Sequence, residues 1–196
     1  MSALRNIGLL GGTFDPPHFG HLIMAEEALC QAHLDEVWFL PSYTPPHLER
    51  KAGAIVSDPE HRIEMVKRAI LGNQYFKLSL IEYERKGKSY TYDTLLALRD
   101  RFPEDAFSFI IGADMVNDLI KWYRYEDLIK MVRFIAFHRA ELVPEIPAGA
   151  EIHFAKMPRI DLSSSLIRKR IREHRPWRYF LPENVKTYIE ENRLYE

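Results

Sequence analysis

Gly11-Gly12-Thr13-Phe14-Asp15-Pro16-Pro17-His18-Phe19-Gly20-His21 follows directly on a short apolar run, Asn6 to Leu10, and runs into a helical pattern that begins near Phe19. An apolar run closed by glycines reads as a buried strand and a tight turn. Two glycines at a strand end let main-chain N–H groups approach an anion that a side chain would hold off. The first-turn amides and the dipole of the helix that follows favour phosphate as well. His18 and His21 are three residues apart and so point the same way from that first turn. Two imidazoles there can donate to phosphate oxygens, most strongly as negative charge builds in a transition state. A histidine pair also suits a metal, but no nearby residue completes a ligand set at convincing spacing.

Outward from this segment the same alternation repeats. Strand-like runs are expected at Val37–Leu40, Phe76–Ile81, Phe107–Ile111 and Arg133–Phe137, with a short one at Glu151–Phe154. Helices are expected from Phe19 to Ala32, after Ser57-Asp58-Pro59, from Thr91 to Phe102, in two short pieces between Asp114 and Met131, from Ser163 to Glu173 and from Pro182 to Asn192. In the helix after Pro59, Ile63, Val66, Ile70 and Leu71 should face the core. Strands alternating with helices point to an α/β, Rossmann-like open parallel sheet with helices on both faces and a small C-terminal helical extension. Residues 1–196 are read as one domain, with a core over 1–160 and a helical part over 161–196. Ligands of such sheets sit past the carboxyl ends of the strands, where the strand order reverses. That rim should carry Gly11–His21, the Ser42–Val56 loop and the Gly112 turn.

Composition narrows the options little: 46% hydrophobic and 28% charged residues with a net charge of −1 describe an ordinary globular chain, with no global field toward nucleic acid or anionic membrane. The single cysteine, Cys30, excludes an intramolecular disulfide and reads as a small buried thiol in an apolar helix. No apolar run is long enough to cross a bilayer, and the N-terminus lacks a hydrophobic leader, which points to the cytoplasm.

A local charge excess lies near the C-terminus, where eight basic residues and two acidic ones fall between Lys156 and Arg178. Within it, Ser163-Ser164-Ser165-Leu166-Ile167-Arg168 places hydroxyls at a helix start with a guanidinium one turn on. Ser164 and Arg168 are four apart, on one face, and with Ser165 and the helix amides they supply the donors a triphosphate tail needs. Lys169, Arg170 and Arg172 read as a solvated face. No aromatic residues are interleaved to stack nucleic-acid bases.

Other segments suit a second nucleotide. Gly112 and Asp114 follow the fourth strand, where a carboxylate can accept ribose hydroxyls. Lys121-Trp122-Tyr123 offers an indole face for a pyridinium ring. Gly87 to Thr94 begins a helix whose open amides can receive a carboxylate.

Gly11–His21 resembles the GGTFDPxHxGH signature of the nucleotidyltransferase superfamily that shares an HxGH element with class I aminoacyl-tRNA synthetases, and the match is complete. Ser163–Arg168 looks like that family's SSTxIR motif, with Ser165 in place of threonine. The GxSYTxDT, IGADM and KWY patterns, present here in order from Gly87 to Tyr123, resemble bacterial nicotinate-nucleotide adenylyltransferases, and the likeness runs from Gly8 to Tyr195.

The resemblance implies adenylyl transfer from ATP to nicotinate mononucleotide, giving nicotinic acid adenine dinucleotide and pyrophosphate for NAD biosynthesis. It implies a catalytic set of His18, His21 and Arg168. An ATP site of Gly11, Gly12, Thr13, Phe14, His18, His21, Gly112, Asp114, Ser164, Ser165 and Arg168 follows from it. The mononucleotide site would comprise Thr13, His47, Tyr90, Thr91, Met115, Trp122 and Tyr123. The family commonly has PPHK after the second strand; here Pro45-Pro46-His47-Leu48 carries the histidine but not the lysine, and Arg50 or Lys51 could replace it.

The incoming 5′-phosphate is already an anion, so no general base is needed, and catalysis should be positioning plus charge stabilisation. Mg²⁺ is expected on the triphosphate, held by phosphate and water, since the sequence shows no carboxylate cage. The rivals are a related enzyme with nicotinamide mononucleotide or phosphopantetheine as acceptor, a nucleotide sensor on the same sheet, and a tRNA synthetase fragment, which would need a second, lysine-rich signature loop and an anticodon domain. The sequence sets neither the preference for acid over amide nor the oligomeric state, and a homo-oligomer stays open.

Overall fold

The computed structural model describes residues 4–44, 57–137 and 145–196. Six strands, β1 (Asn6–Gly12), β2 (Glu36–Pro41), β3 (Phe76–Leu78), β4 (Ala106–Gly112), β5 (Arg133–Phe137) and β6 (Ile152–Ala155), make a sheet in the order β3-β2-β1-β4-β5-β6. Every neighbouring pair is parallel. Helices α1 (Phe19–Gln31), α2 (Pro59–Ile70), α3 (Ile81–Arg85), α4 (Thr91–Arg101), α5 (Tyr125–Met131), α6 (Ser164–Arg172) and α7 (Glu183–Glu191) join and cover the strands.

The near-continuous apolar strands are explained by burial on both faces. Ile7, Leu9, Trp38, Leu40, Phe107, Phe109, Ile111, Phe134 and Ala136 lie in one core cluster with Leu95 and Leu98 of α4 and Leu128 of α5. The alternate residues Leu10, Val37, Phe39, Ile110, Ile135 and Phe137 lie in a second with Ala25 and Ala28 of α1 and Val66 of α2. Side chains of a strand alternate in direction, so each strand feeds both layers. A third cluster, built from Met65 and Ala69 of α2, Ile167 and Ile171 of α6, and Leu181, Val185 and Ile189, seats the C-terminal helices on α2.

The expected parallel sheet is present, and several local expectations need correction. The strand expected over Phe76–Ile81 ends at Leu78, where pairing with β2 stops at Phe39, and Ile81 instead opens α3 and is buried there. An apolar run this short fits a strand or a helix equally well, and packing decides. Of the residues expected to face inward on α2, Val66 is buried and Ile70 packs partly buried against the second cluster, whereas Ile63 is only half-buried and Leu71 is exposed; the fully buried face is Arg62, Met65, Val66 and Ala69. These four keep helical spacing, but an arginine at the first hides the stripe from a hydrophobicity count. Cys30 is exposed, not buried, on the outer side of α1.

Candidate functional site

β1 and β4 are neighbours, and the chain winds outward from them in opposite directions, so their carboxyl ends form the switch-point crevice. Gly12 ends β1, Gly112 ends β4, and α1 begins seven residues after Gly12, which brings the Gly11–His21 loop to that crevice. A Cβ at either glycine would crowd a buried aromatic ring. A Cβ on Gly11 would stand 3.1 Å from the Phe109 ring, and one on Gly12 would stand 3.1 Å from the Phe14 ring. Phe14 takes a left-handed backbone, φ 51°, and its ring is buried under the loop, edge-on to His21 at 5.0 Å between centroids. Main chain, not the Phe14 ring, is therefore what this residue presents to the crevice.

His18 is the N-cap of α1, and its main-chain N–H donates to Nδ1 of His21 at 3.2 Å. An imidazole nitrogen that accepts a bond carries no proton, so the neutral His21 ring holds its hydrogen on Nε2. The two rings lie face to face, 3.8 Å between centroids and 31° apart in plane. A Cβ on Gly20 would stand 3.0 Å from the His18 ring, so glycine between the histidines is what lets that ring lie against the helix start.

The serine–arginine segment meets this loop. Ser163 caps α6 by accepting from the Leu166 N–H at 3.2 Å, Ser164 Oγ donates to the Pro16 carbonyl at 2.8 Å, and Arg168 Nη1 donates to the Asp15 carbonyl at 2.6 Å. Ser165 Oγ accepts from Arg168 Nη2 at 3.3 Å. Ser164 and Arg168 do share a face, and the N-termini of α1 and α6 are brought together with the histidine pair. Of the remaining basic residues, Lys169 and Arg172 are exposed, whereas Arg170 lies over Phe180 and donates to the Pro176 carbonyl at 2.7 Å.

Asp15, Arg62 and Tyr195 make buried or part-buried hydrogen bonds that no sequence pattern announces. The Asp15 carboxylate, 1% exposed, accepts from the Tyr195 hydroxyl at 2.5 Å and from the Ser57 N–H at 3.1 Å, with Arg168 Nη1 at 4.0 Å. Burial and the negative charge of Asp15 push the Tyr195 hydroxyl far above the ordinary tyrosine range, which keeps it a donor. Asp15 stands inside the quoted motif, so its position was visible; its partners were not.

On the other side of the crevice, Tyr90 caps α4 and its ring lies 4.6 Å from that of Tyr123, joining the Gly87–Thr94 and Lys121–Tyr123 segments. Thr91 is the first residue of α4, whose opening amides lack intrahelical acceptors. The Tyr43 N–H donates to Ser89 Oγ at 2.9 Å and Ser89 N–H to the Thr44 carbonyl at 3.0 Å, so the chain leaving β2 joins the same cluster. Trp122 is half-buried, edge-on to Phe109 at 5.9 Å and Phe134 at 6.3 Å, so it serves the core as well. Asp114 and Met115 are exposed on the turn after β4, with the Asp114 carboxylate folded back over Gly112. His47, Arg50 and Lys51 lie outside the described residues. Among the described residues no group of three or more His, Cys, Asp or Glu is arranged to hold a metal ion.

A cytidylyltransferase-like family model matches residues 9–170, from β1 into α6. The nicotinate-nucleotide adenylyltransferase of Bacillus subtilis (strain 168) is 48% identical over 193 residues, which cover 98% of this chain and 100% of the relative. The chain belongs to the nicotinate-nucleotide adenylyltransferase family. It is therefore an enzyme, a nucleotidyltransferase, and the family's Rossmann-like fold is the one its strand order builds. A relative from Bacillus pumilus (strain SAFR-032) is 49% identical over the same length and coverage. Among solved structures, the nicotinic acid mononucleotide adenylyltransferase of Plasmodium falciparum, complexed with APC, superimposes with a TM-score of 0.78 at 20% identity. The match covers 97% of each chain, and at that identity it speaks for the fold alone. The same enzyme complexed with NaAD gives 0.78 at 21% identity.

Proposed function

We propose that this chain joins the adenylyl group of ATP to nicotinate mononucleotide at the β1–β4 crevice, with the triphosphate between the Gly11–His21 loop and the start of α6. The observation that carries this reading is the pair of bonds from Ser164 and Arg168 to the Pro16 and Asp15 carbonyls. They set two helix N-termini, two imidazoles and a guanidinium around one place, and all of these favour anions. Residues 161–196 thus belong to the same catalytic unit as the sheet.

An oxygen of the mononucleotide 5′-phosphate forms a bond to the α-phosphorus of ATP while the bond from that phosphorus to the β-bridging oxygen breaks, and pyrophosphate leaves. His18 and His21 stabilise charge on the reacting phosphates, His21 through Nε2–H. Ser165, Arg168 and the amides of α6 hold the departing pyrophosphate; Ser164 acts on the loop as well. Thr13 and main chain of Gly11 and Gly12 line the nucleotide, and Asp114 on the Gly112 turn receives ribose hydroxyls. The nicotinate ring stacks on Trp122 beside Tyr90, Tyr123 and Met115, with its carboxylate toward the Thr91 amide, and His47 completes that side.

Mg²⁺ would arrive with ATP and screen phosphate charge. Asp15, the only carboxylate of the loop, is buried and bonded to Tyr195 and Ser57, which suits a metal held by phosphate and water. We place the reaction in the cytoplasm, with no nucleic-acid or membrane partner; among the described residues no helix is long and apolar enough to cross a membrane. A pyrophosphate-release assay with ATP tests the proposal, nicotinate and nicotinamide mononucleotides being offered in parallel. Rapid release with the acid and slow release with the amide is the expected result; equal rates, or none with either, overturn the substrate assignment.

A further inference from the structure

Arg62 sits in the second turn of α2 with only 1% of its surface exposed, the largest fully buried side chain among the described residues. A charge is costly to bury unless its hydrogen bonds are satisfied. Arg62 satisfies them with main-chain carbonyls. Nε donates to Ser57 O at 3.2 Å, Nη1 to Thr13 O at 3.2 Å and Ser42 O at 2.6 Å, and Nη2 to Tyr43 O at 3.1 Å. Among the described residues no carboxylate forms an ion pair with it, and the Tyr83 ring lies 5.9 Å from its guanidinium carbon. One planar group thus grips the loop after β1, the chain leaving β2 and the chain entering α2.

The carbonyls it holds matter for what the other side of each peptide does. In a trans peptide the N–H points opposite to the C=O, and the bonds concerned here are trans. Ser42 provides the visible case: its carbonyl is turned to Arg62, and the N–H of the same peptide, on Tyr43, donates to Ser89 Oγ on the far side. By the same geometry the Thr13 carbonyl, turned to Arg62, directs the Phe14 N–H away from Arg62. Ser42 holds the preceding peptide likewise, its N–H and Oγ bonding the Gly12 carbonyl at 2.8 and 3.3 Å.

From this we infer that Arg62 is a positioning residue for adenylyl transfer, a buried guanidinium that orients the phosphate-loop amides and, through Ser42, Tyr43 and Ser89, sets the mononucleotide segment against them. The inference rests on Gly11–His21 being the phosphate loop. Arg62 touches neither substrate. It acts by keeping main-chain donors aimed, and donors aimed at charge that develops in the transition state affect turnover more than ground-state binding. Lysine cannot replace it, because one ammonium with three donors does not span four carbonyls on three segments.

The experiment compares Arg62→Lys and Arg62→Gln with the parent enzyme, each corrected for folded fraction by near-ultraviolet circular dichroism, with His21→Ala alongside. The expected result is folded Arg62→Lys with kcat reduced about tenfold or more and both KM values changed by less than kcat. Arg62→Gln should fall at least as far. Near-normal kcat per folded molecule in Arg62→Lys, a loss carried wholly by KM, or failure of both variants to fold would overturn the inference and leave Arg62 a stability residue. If His21→Ala also keeps its turnover, the phosphate-loop assignment itself fails; if only the Arg62 variants are normal, the failure is confined to Arg62.

Discussion

The Tyr195 hydroxyl donates a 2.5 Å hydrogen bond to the buried Asp15 carboxylate, across 180 positions of sequence. Asp15 lies between Phe14 and Pro16 in the loop after β1, so the segment after α7 is tied directly to the Gly11–His21 loop. Replacing Tyr195 by Phe leaves a buried carboxylate one donor short. A hydrogen bond to a charged group contributes about 1.5–3 kcal/mol, so the urea midpoint and the thermal midpoint should both fall. At roughly 2–4 °C per kcal/mol for a chain of this size, a calorimetric drop of several degrees is expected. An unchanged midpoint would show that the bond contributes nothing net.

In the proposed reaction His21 would offer Nε2–H to the reacting phosphates, since Nδ1 is engaged by the His18 N–H. His21→Ala should lower kcat by about 10²–10³, the usual cost of one transition-state donor, with little change in the circular dichroism spectrum. His21→Gln keeps an N–H near the place of Nε2 and should retain more turnover than alanine. Equal loss in the two would remove the donor role.

Trp122 packs partly buried against Phe109 and Phe134, and in the proposed site its remaining face would stack on the nicotinate ring. Trp122→Phe keeps an aromatic ring against Phe109 and Phe134 but offers a weaker face to a pyridinium, so KM for nicotinate mononucleotide should rise about two- to fivefold. KM for ATP should stay put. Trp122→Ala adds a fall in thermal midpoint, because edge-to-face contacts at 5.9 and 6.3 Å are lost. A rise in KM for both substrates would point to general loosening.

Glu82, on α3, is buried behind the Ser89–Tyr90 segment and accepts from Thr94 Oγ1 at 3.0 Å. Burial pushes its carboxyl above the ordinary value of 4.5, against the opposing hydrogen bonds of Ser89 and Thr94 and the charge of Arg85. A raised folded pKa favours the native state fully below the unfolded value and loses that contribution as pH climbs through the folded one. Denaturant titrations should therefore show this part of stability declining from about pH 4.5 upward, and Glu82→Gln should flatten it. An identical pH slope in the variant would contradict this.

Much of the fold was legible because a parallel sheet buried on both faces writes itself as short apolar runs. Val37–Leu40, Phe107–Ile111 and Arg133–Phe137 are each found inside or matching a strand. Ambiguity came where length and composition do not separate strand from helix, as at Leu80 and Ile81, and where a polar residue occupies a core position, as Arg62 does on α2. The candidate site was legible to a similar depth. Gly11–His21 and Ser163–Arg168 could be singled out because glycines, paired imidazoles and hydroxyls at helix starts have few other uses together.

By itself, then, the sequence determined the strand–helix alternation, the position of the Gly11–His21 loop after the first strand and the chemical character of its residues, since these follow from local pattern and residue type. Only the tertiary structure decided that Asp15 is held by Tyr195 and Arg168, and that Arg62 joins Thr13, Ser42, Tyr43 and Ser57. Those bonds are made by main-chain carbonyls and by residues far apart along the chain. Carbonyls are the same at every position, so no spacing of side chains announces which of them a buried guanidinium will meet.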